Sequence, residues 1–210
     1  ETSRRLNLKN CKGFTMAFYI SVMGREKIEN RLGRLSFEAR TLFAMCCVTH
    51  GRSTFLFNID PDDREWYEEL VPMIDDFWKS FPDSLDSKWI EQQRVAASEF
   101  LDFEDHVEFE DYPFAVGELQ IITATIQAFA CTQSSEGIKN ASSAAYQIYD
   151  AIVEVEITAK DGGGAEWQVD RLESQSTTCR SEIEFQLKCL GIIENWQGPL
   201  PNYEQVLQAK

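Results

Sequence analysis

The 210-residue sequence has few histidines and lacks the residue spacings by which proteins bind metals. His50 and His106 are its only histidines, and its six cysteines form no Cys-x-x-Cys pair. Zinc sites need such clusters, and a helical di-iron site needs Glu-x-x-His repeats, which are also missing. We therefore expect no metal and no other cofactor.

A catalytic motif is missing as well. The run Gly162-Gly-Gly has neither the lysine nor the preceding strand of a phosphate-binding loop. A cysteine–histidine nucleophile pair would have to combine His50 with Cys46 or Cys47, and spacing alone does not show whether their side chains meet. We expect a protein that is not an enzyme.

Long apolar runs are absent, because no stretch reaches the roughly 18 residues of a membrane span. The opening residues Glu1-Thr-Ser-Arg-Arg do not have the pattern of a signal peptide. Most of the cysteines lie in helical patterns, where a thiol acts as a small apolar group, although six cysteines could also pair. We expect a cytoplasmic protein that does not bind membranes.

Aromatic residues are plentiful, with 14 Phe, 5 Trp and 6 Tyr. This composition supplies a core and excludes a disordered chain. No linker divides the sequence, and apolar residues recur mainly at steps of three and four, as on one face of a helix. We predict an all-α protein in which residues 1–210 form one domain, a single bundle of about seven to nine helices.

The clearest helical stripe runs from Ile138 to Ala159. Within it, residues 152–158 alternate like a strand, but the helical pattern is more than three times longer and favours a helix that ends near Lys160. Two further stripes predict helices over residues 115–130 and 169–193.

The other predicted helices depend on start and stop signals. Ser36 caps a helix that ends at Gly51, with His50 at its negative end. We also expect a helix over 66–81, which Pro72 kinks or delays, and a helix over 14–32, which is interrupted at Gly24 and in which residues 18–23 could instead be a strand. A helix over 88–101 should bury Trp89, Val95 or Ala96, and Phe100. A short helix over 203–209 should dock on the surface.

The formal net charge of −15 is unevenly distributed. Residues 1–59 have 10 basic and 4 acidic side chains, whereas residues 60–111 have 4 basic and 18 acidic ones. Such a field attracts cationic partners and repels nucleic acid. Two plain alternatives remain: the acidic residues keep the protein soluble, and Arg31, Arg34 and Arg40 pair with the acidic middle of the chain.

Residues 102–111 are the most unusual stretch, with six carboxylates in ten residues. Together with the turn at 60–69 they predict a surface that attracts a basic partner and anchors it with aromatic rings. In a first alternative, Phe103 and Phe109 anchor a solvated connection between two helices. A second alternative, a hydrolase site with a metal ion on these carboxylates, is least favoured, because a calcium-binding loop needs a glycine at its turn and this stretch has none. The predicted partner-binding residues are Asp60, Asp62, Asp63, Glu65, Asp102, Phe103, Glu104, Asp105, Glu108, Phe109, Glu110 and Asp111.

Several segments resemble a bacterial all-helical family of unknown function, the YjaG-like family. They are Arg31-Leu-Gly-Arg-Leu-Ser-Phe, Thr41-Leu-Phe-Ala-Met-Cys-Cys, Trp66-Tyr-Glu-Glu-Leu, Ile74-Asp-Asp-Phe-Trp, Asp111-Tyr-Pro-Phe-Ala-Val-Gly-Glu-Leu and the helix from Ala144 to Ala159. The resemblance covers residues 28–195, so 1–27 form an N-terminal extension to it and 198–210 a tail. It implies a helical scaffold or regulator whose partner is not a toxin.

The same pattern is also similar to the all-α immunity proteins of bacterial polymorphic toxin systems. These share an early helix with a basic residue and a buried cysteine, an acidic interior segment and later helices of small residues. This resemblance implies a protein that neutralises a cognate toxin domain, such as a nuclease, by covering its active site. It transfers no catalytic residue, and the oligomeric state stays open.

Overall fold

The computed structural model describes residues 17–58, 70–81, 87–99, 115–132, 136–161, 171 and 173–209. In these ranges all regular structure is helical and no residue lies in a strand, so the predicted all-α class is confirmed. The helices are α1 (Ala17–Met23), α2 (Arg25–Leu32), α3 (Phe37–Asn58), α4 (Val71–Ser80), α5 (Ser87–Glu99), α6 (Ala115–Phe129) followed by a 3-10 turn (Ala130–Thr132), α7 (Gly137–Asp161), α8 (Thr177–Asn195) and α9 (Tyr203–Gln208).

Helix α7 occupies the centre of the described core. It packs along α6 and α3 and also contacts α2 and α8. Its inward face is rich in small side chains, and Ala141, Ala144, Ala145 and Ala151 are all buried. Small side chains let helix axes approach closely, so this alanine-rich stripe allows α7 to contact several neighbours at once.

Two glycines lie at the tightest crossings of this core. A Cβ atom on Gly51 would lie 2.1 Å from Cγ2 of Ile148 in α7, and one on Gly117 would lie 2.5 Å from Cε2 of Phe55 in α3. The expectation that Gly51 ends its helix is therefore wrong, because α3 continues to Asn58. Gly51 instead provides the space into which Ile148 packs.

Three local expectations about where helices begin or break are confirmed. The backbone N–H of Ala39 donates to Oγ of Ser36 at 3.2 Å, which caps α3. Helix α4 begins at Val71 with Pro72 in its first turn, so the proline delays the helix. Gly24 has a φ of 60° and separates α1 from α2, and α1 excludes the strand alternative for residues 18–23.

At helix α8 the apolar periodicity of the sequence led to a wrong prediction. The stripe over 169–193 predicted one unbroken helix, but Ser176 has an extended backbone and is the N-cap of α8. Its hydroxyl accepts a hydrogen bond from the N–H of Cys179 at 3.1 Å. Serine competes with helical hydrogen bonding by this local bond, so a residue that fits the stripe also interrupts it.

The two remaining expectations concern α5 and α9. In α5 the buried residues are Ile90 and Ala97, whereas Val95 is 47% exposed, so the predicted inward face was partly wrong. Phe100 lies outside the described residues. Helix α9 docks as predicted, with Val206 buried.

None of the helices in the described ranges is both long and apolar enough to span a membrane.

Candidate functional site

The partner-binding residues predicted from the sequence cannot be placed. Asp60, Asp62, Asp63, Glu65, Asp102, Phe103, Glu104, Asp105, Glu108, Phe109, Glu110 and Asp111 all lie outside the described residues. The helix before the first segment and the helices on either side of the second are described, and so are two polar clusters elsewhere in the core.

Among the described residues, an ion pair joins the basic first third of the chain to its acidic middle. Nη1 of Arg52 in α3 lies 3.6 Å from Oδ1 of Asp75 in α4. Arg31 instead contacts the last long helix: its Nε and Nη2 donate to the two carboxylate oxygens of Glu194 at 2.9 and 2.6 Å. This hydrogen bonding raises the pKa of Arg31. Arg31 therefore ties α2 to α8, and its pairing with the acidic residues outside the described ranges stays a prediction.

A buried hydrogen-bonded network, which the sequence analysis missed, connects α1, α3, α7 and α8. Nδ1 of His50 lies 2.7 Å from Oε2 of Glu182. Nε2 of Gln186 donates to the other carboxylate oxygen at 2.8 Å and to the carbonyl oxygen of Ala145 at 2.9 Å. The hydroxyl of Tyr19 donates to Oε1 of Gln186 at 2.9 Å. Both buried polar side chains that α8 contributes to this network, Glu182 and Gln186, therefore have hydrogen-bond partners inside the core.

His50 connects this network to the surface. Its side chain is 26% exposed, whereas that of Glu182 is 1% exposed, and its ring stacks on Phe185 with centroids 3.7 Å apart. The expected place of His50 at a helix end is wrong, because α3 continues for two more turns. The contact between Nδ1 and Glu182, together with the stacking on Phe185, fixes the orientation of the imidazole, as carboxylates do beside many histidines.

The thiols close to this pair are in their unreactive form. Cys46, Cys47, Cys131, Cys179 and Cys189 are all buried and free. Burial, and next to it the neighbouring Cys189, raises the pKa of both Cys46 and Cys47 well above the usual value. Since the thiolate is the nucleophile, these two cysteines do not supply an activated group beside His50.

A second polar cluster lies between α6, α7 and the residues before α8. Burial, together with the nearby charges of Glu154 and Glu173, raises the pKa of Asp150 to about 7. Nε2 of Gln120 donates to Oδ2 of Asp150. In the parts of the chain that the structure describes, no three His, Cys, Asp or Glu side chains are placed to hold a metal ion. The Asp150 carboxyl, with its raised pKa, binds its proton more tightly than a solvent-exposed carboxylate would.

The sequence contained a weak signal for the buried network. Glu182 and Gln186 are four residues apart and flank Ile183, which belongs to the apolar stripe of α8. Polar residues on a buried face must be hydrogen-bonded, so their position could have indicated partners on other helices. It could not have identified Tyr19 or His50 as those partners.

Comparison of the chain with family models, with curated proteins and with solved structures finds no match. The resemblances to the YjaG-like family and to immunity proteins therefore stay predictions.

Proposed function

We propose that the protein is a non-enzymatic binding protein whose segments 60–69 and 102–111 bind a cationic surface of another protein. The charge distribution carries this proposal: 18 acidic and 4 basic side chains lie within residues 60–111. A concentrated field of one sign accelerates association with an oppositely charged partner. Phe103 and Phe109 would supply the apolar anchors that such interfaces use.

The chemistry of the described core supports a binding role over a catalytic one. The carboxylate of Glu182 is taken up by His50 and Gln186, and burial keeps the thiols of Cys46 and Cys47 protonated. These carboxylate and thiol groups lie near the partly exposed His50 and take part in packing the helices together. A rigid helical scaffold of this kind suits the presentation of a fixed surface.

The partner we propose is a bacterial toxin domain, and the protein its cytoplasmic immunity protein. The resemblance to all-α immunity proteins supports this choice. If the toxin is a nuclease, its cleft is basic, and the acidic side chains would occupy the positions of nucleic-acid phosphates. We further propose that residues 1–210 form one domain, a single bundle of seven to nine helices that binds neither nucleic acid nor membrane.

Co-expression tests this function directly. The C-terminal domain of the protein encoded immediately upstream should be toxic alone, and cells should survive when the present protein is produced with it. The two purified proteins should also form a stable complex. A neighbouring domain that is not toxic, or that does not bind, would contradict the immunity role and favour the alternative of a helical scaffold or regulator.

A further inference from the structure

A pocket of about 460 Å³ opens between α1, α2 and α7. Ile20, Met23 and Ile28 line it, together with the rings of Tyr19 and Tyr146. Small-molecule sites have this size, and most combine apolar walls with a few polar groups that fix the orientation of the ligand. We propose that the pocket binds a small amphipathic carboxylate, with its apolar chain against these side chains.

Ser142 provides the first polar group of the pocket. The residue is 7% exposed and lines the cavity. As part of the pocket wall, Ser142 has a hydroxyl that can donate a hydrogen bond to a ligand. The neighbouring Tyr19 hydroxyl, by contrast, is already used by Gln186. A carboxylate oxygen in the pocket would accept a hydrogen bond from the Ser142 hydroxyl.

Arg25 provides the charge that selects an anion. Its side chain lines the pocket and is 73% exposed. Its Nε donates to Oε1 of Glu29 at 2.9 Å, and this contact does not use either Nη group, which a ligand could bind. Residues 17–34, which include α1 and α2, have four basic and two acidic side chains, so the segment on one side of the pocket has a net positive formal charge. Arginine binds carboxylates with charge-assisted hydrogen bonds.

This proposal does not depend on the proposed function, because its residues lie outside 60–111. Calorimetric titration of the full chain with decanoate, below the concentration at which decanoate forms micelles, tests it. We expect saturable binding with one site per chain, and binding of the neutral analogue decanol that is about tenfold weaker.

Two variants locate the binding site. Ser143→Phe places a ring in the pocket and should abolish decanoate binding, whereas Ser181→Phe, at an exposed position of α8, should not. Arg25→Gln should weaken decanoate binding about tenfold and leave decanol binding unchanged; Arg34→Gln, at an exposed position, is its control. Circular dichroism establishes that each variant is folded.

The proposal is overturned if the unmodified chain shows no saturable binding of decanoate. It is also overturned if Ser143→Phe and Arg25→Gln both bind decanoate normally, since the ligand then lies elsewhere. Equal binding of decanol and decanoate, unaffected by Arg25→Gln, would mean that the pocket is an apolar site without selectivity for a carboxylate.

Discussion

Glu182 is a demanding residue of the core, because a buried carboxylate is costly unless its oxygens are hydrogen-bonded. Here His50 and Gln186 occupy both oxygens. Gln186 in turn accepts from Tyr19, a residue 167 positions away. The network therefore couples the helix nearest the start of the described chain to α8, and it fixes their relative position through polar contacts that a purely apolar core would lack.

Replacing Glu182 tests the contribution of this network. Glu182→Ala leaves His50 and one amide hydrogen of Gln186 without their acceptor, and we expect the free energy of unfolding to fall by about 2–4 kcal/mol. Urea denaturation measures the change. Glu184→Ala, two residues along at an exposed position of the same helix, should change stability by about 0.5 kcal/mol or less. Equal effects of the two variants would contradict a structural role for the network.

Asp150 should make stability depend on pH. In the folded protein burial raises its pKa from 3.8 to about 7. Because the folded state holds the proton more tightly than the unfolded state, this group favours folding at low pH, and its contribution is lost as the pH rises from about 4 to 7.

Asp150→Asn removes this titration and keeps an acceptor for Gln120. We expect the variant to be more stable than the original protein by about 1–3 kcal/mol at pH 8 and equally stable near pH 4. Denaturant midpoints at the two pH values measure the difference. Glu184→Gln, at an exposed position, serves as the control and should show no such pH dependence. A destabilised Asp150→Asn protein at pH 8 would show that the ionised carboxylate is needed.

The helices themselves are positioned by side-chain size as much as by hydrophobic patterning. Gly51 lets Ile148 of α7 contact the backbone of α3. Gly117 likewise lets Phe55 of α3 contact the backbone of α6. Glycine costs helix stability relative to alanine. At these positions the close packing of three helices offsets that cost.

A pair of glycine-to-alanine substitutions separates packing from helix propensity. Gly51→Ala forces a methyl group against Ile148 and should destabilise the protein by about 1–3 kcal/mol. Gly191→Ala in α8 has its nearest neighbour, Nη2 of Arg31, 3.8 Å from the new methyl group, and should stabilise it by about 0.5–1 kcal/mol. Thermal and urea unfolding measure both changes.

Ile148→Ala provides the further check on this pair. Adding it to Gly51→Ala should cost less than the sum of the two single substitutions, because the new methyl group then has space. Full additivity would contradict the steric explanation.

Periodicity predicted the helices well where their faces are uniform, as in α6 and α7. It failed where tertiary contacts decide the local structure. Gly51 is a stop signal by composition, yet the packing of Ile148 requires a glycine inside a continuing helix. Ser176 fits an apolar stripe, yet its hydroxyl caps a new helix. Local propensity is a weak guide at such positions, since the neighbours come from distant parts of the chain.

At the scale of the whole molecule, charge could be read from the sequence and contacts could not. The excess of acidic residues in 60–111 follows from counting. The pocket and the buried network, however, combine residues of α1 with residues more than 100 positions away. Spacing rules describe one helix at a time, so such sites become visible only when the helices are assembled.

The charge asymmetry predicts how the proposed complex should respond to salt. If residues 102–111 face a basic partner, long-range attraction accelerates the encounter, and salt screens it over about 8–10 Å near physiological ionic strength. The association rate should therefore fall steeply between 50 and roughly 500 mM salt, while the dissociation rate changes little. Stopped-flow or surface-based kinetics with the neighbouring toxin domain measures both rates.

Charge reversal distinguishes this local surface from net charge alone. Substituting Lys at Glu104, Asp105 and Glu108 should slow association by about tenfold or more and flatten its salt dependence, with little change in melting temperature. Lys at Glu136, Glu184 and Glu204, which are exposed elsewhere, changes the net charge equally and should slow association much less. Equal slowing by the two triple variants would assign the attraction to the whole molecule, and a loss of folding in the first variant would make the 102–111 carboxylates structural.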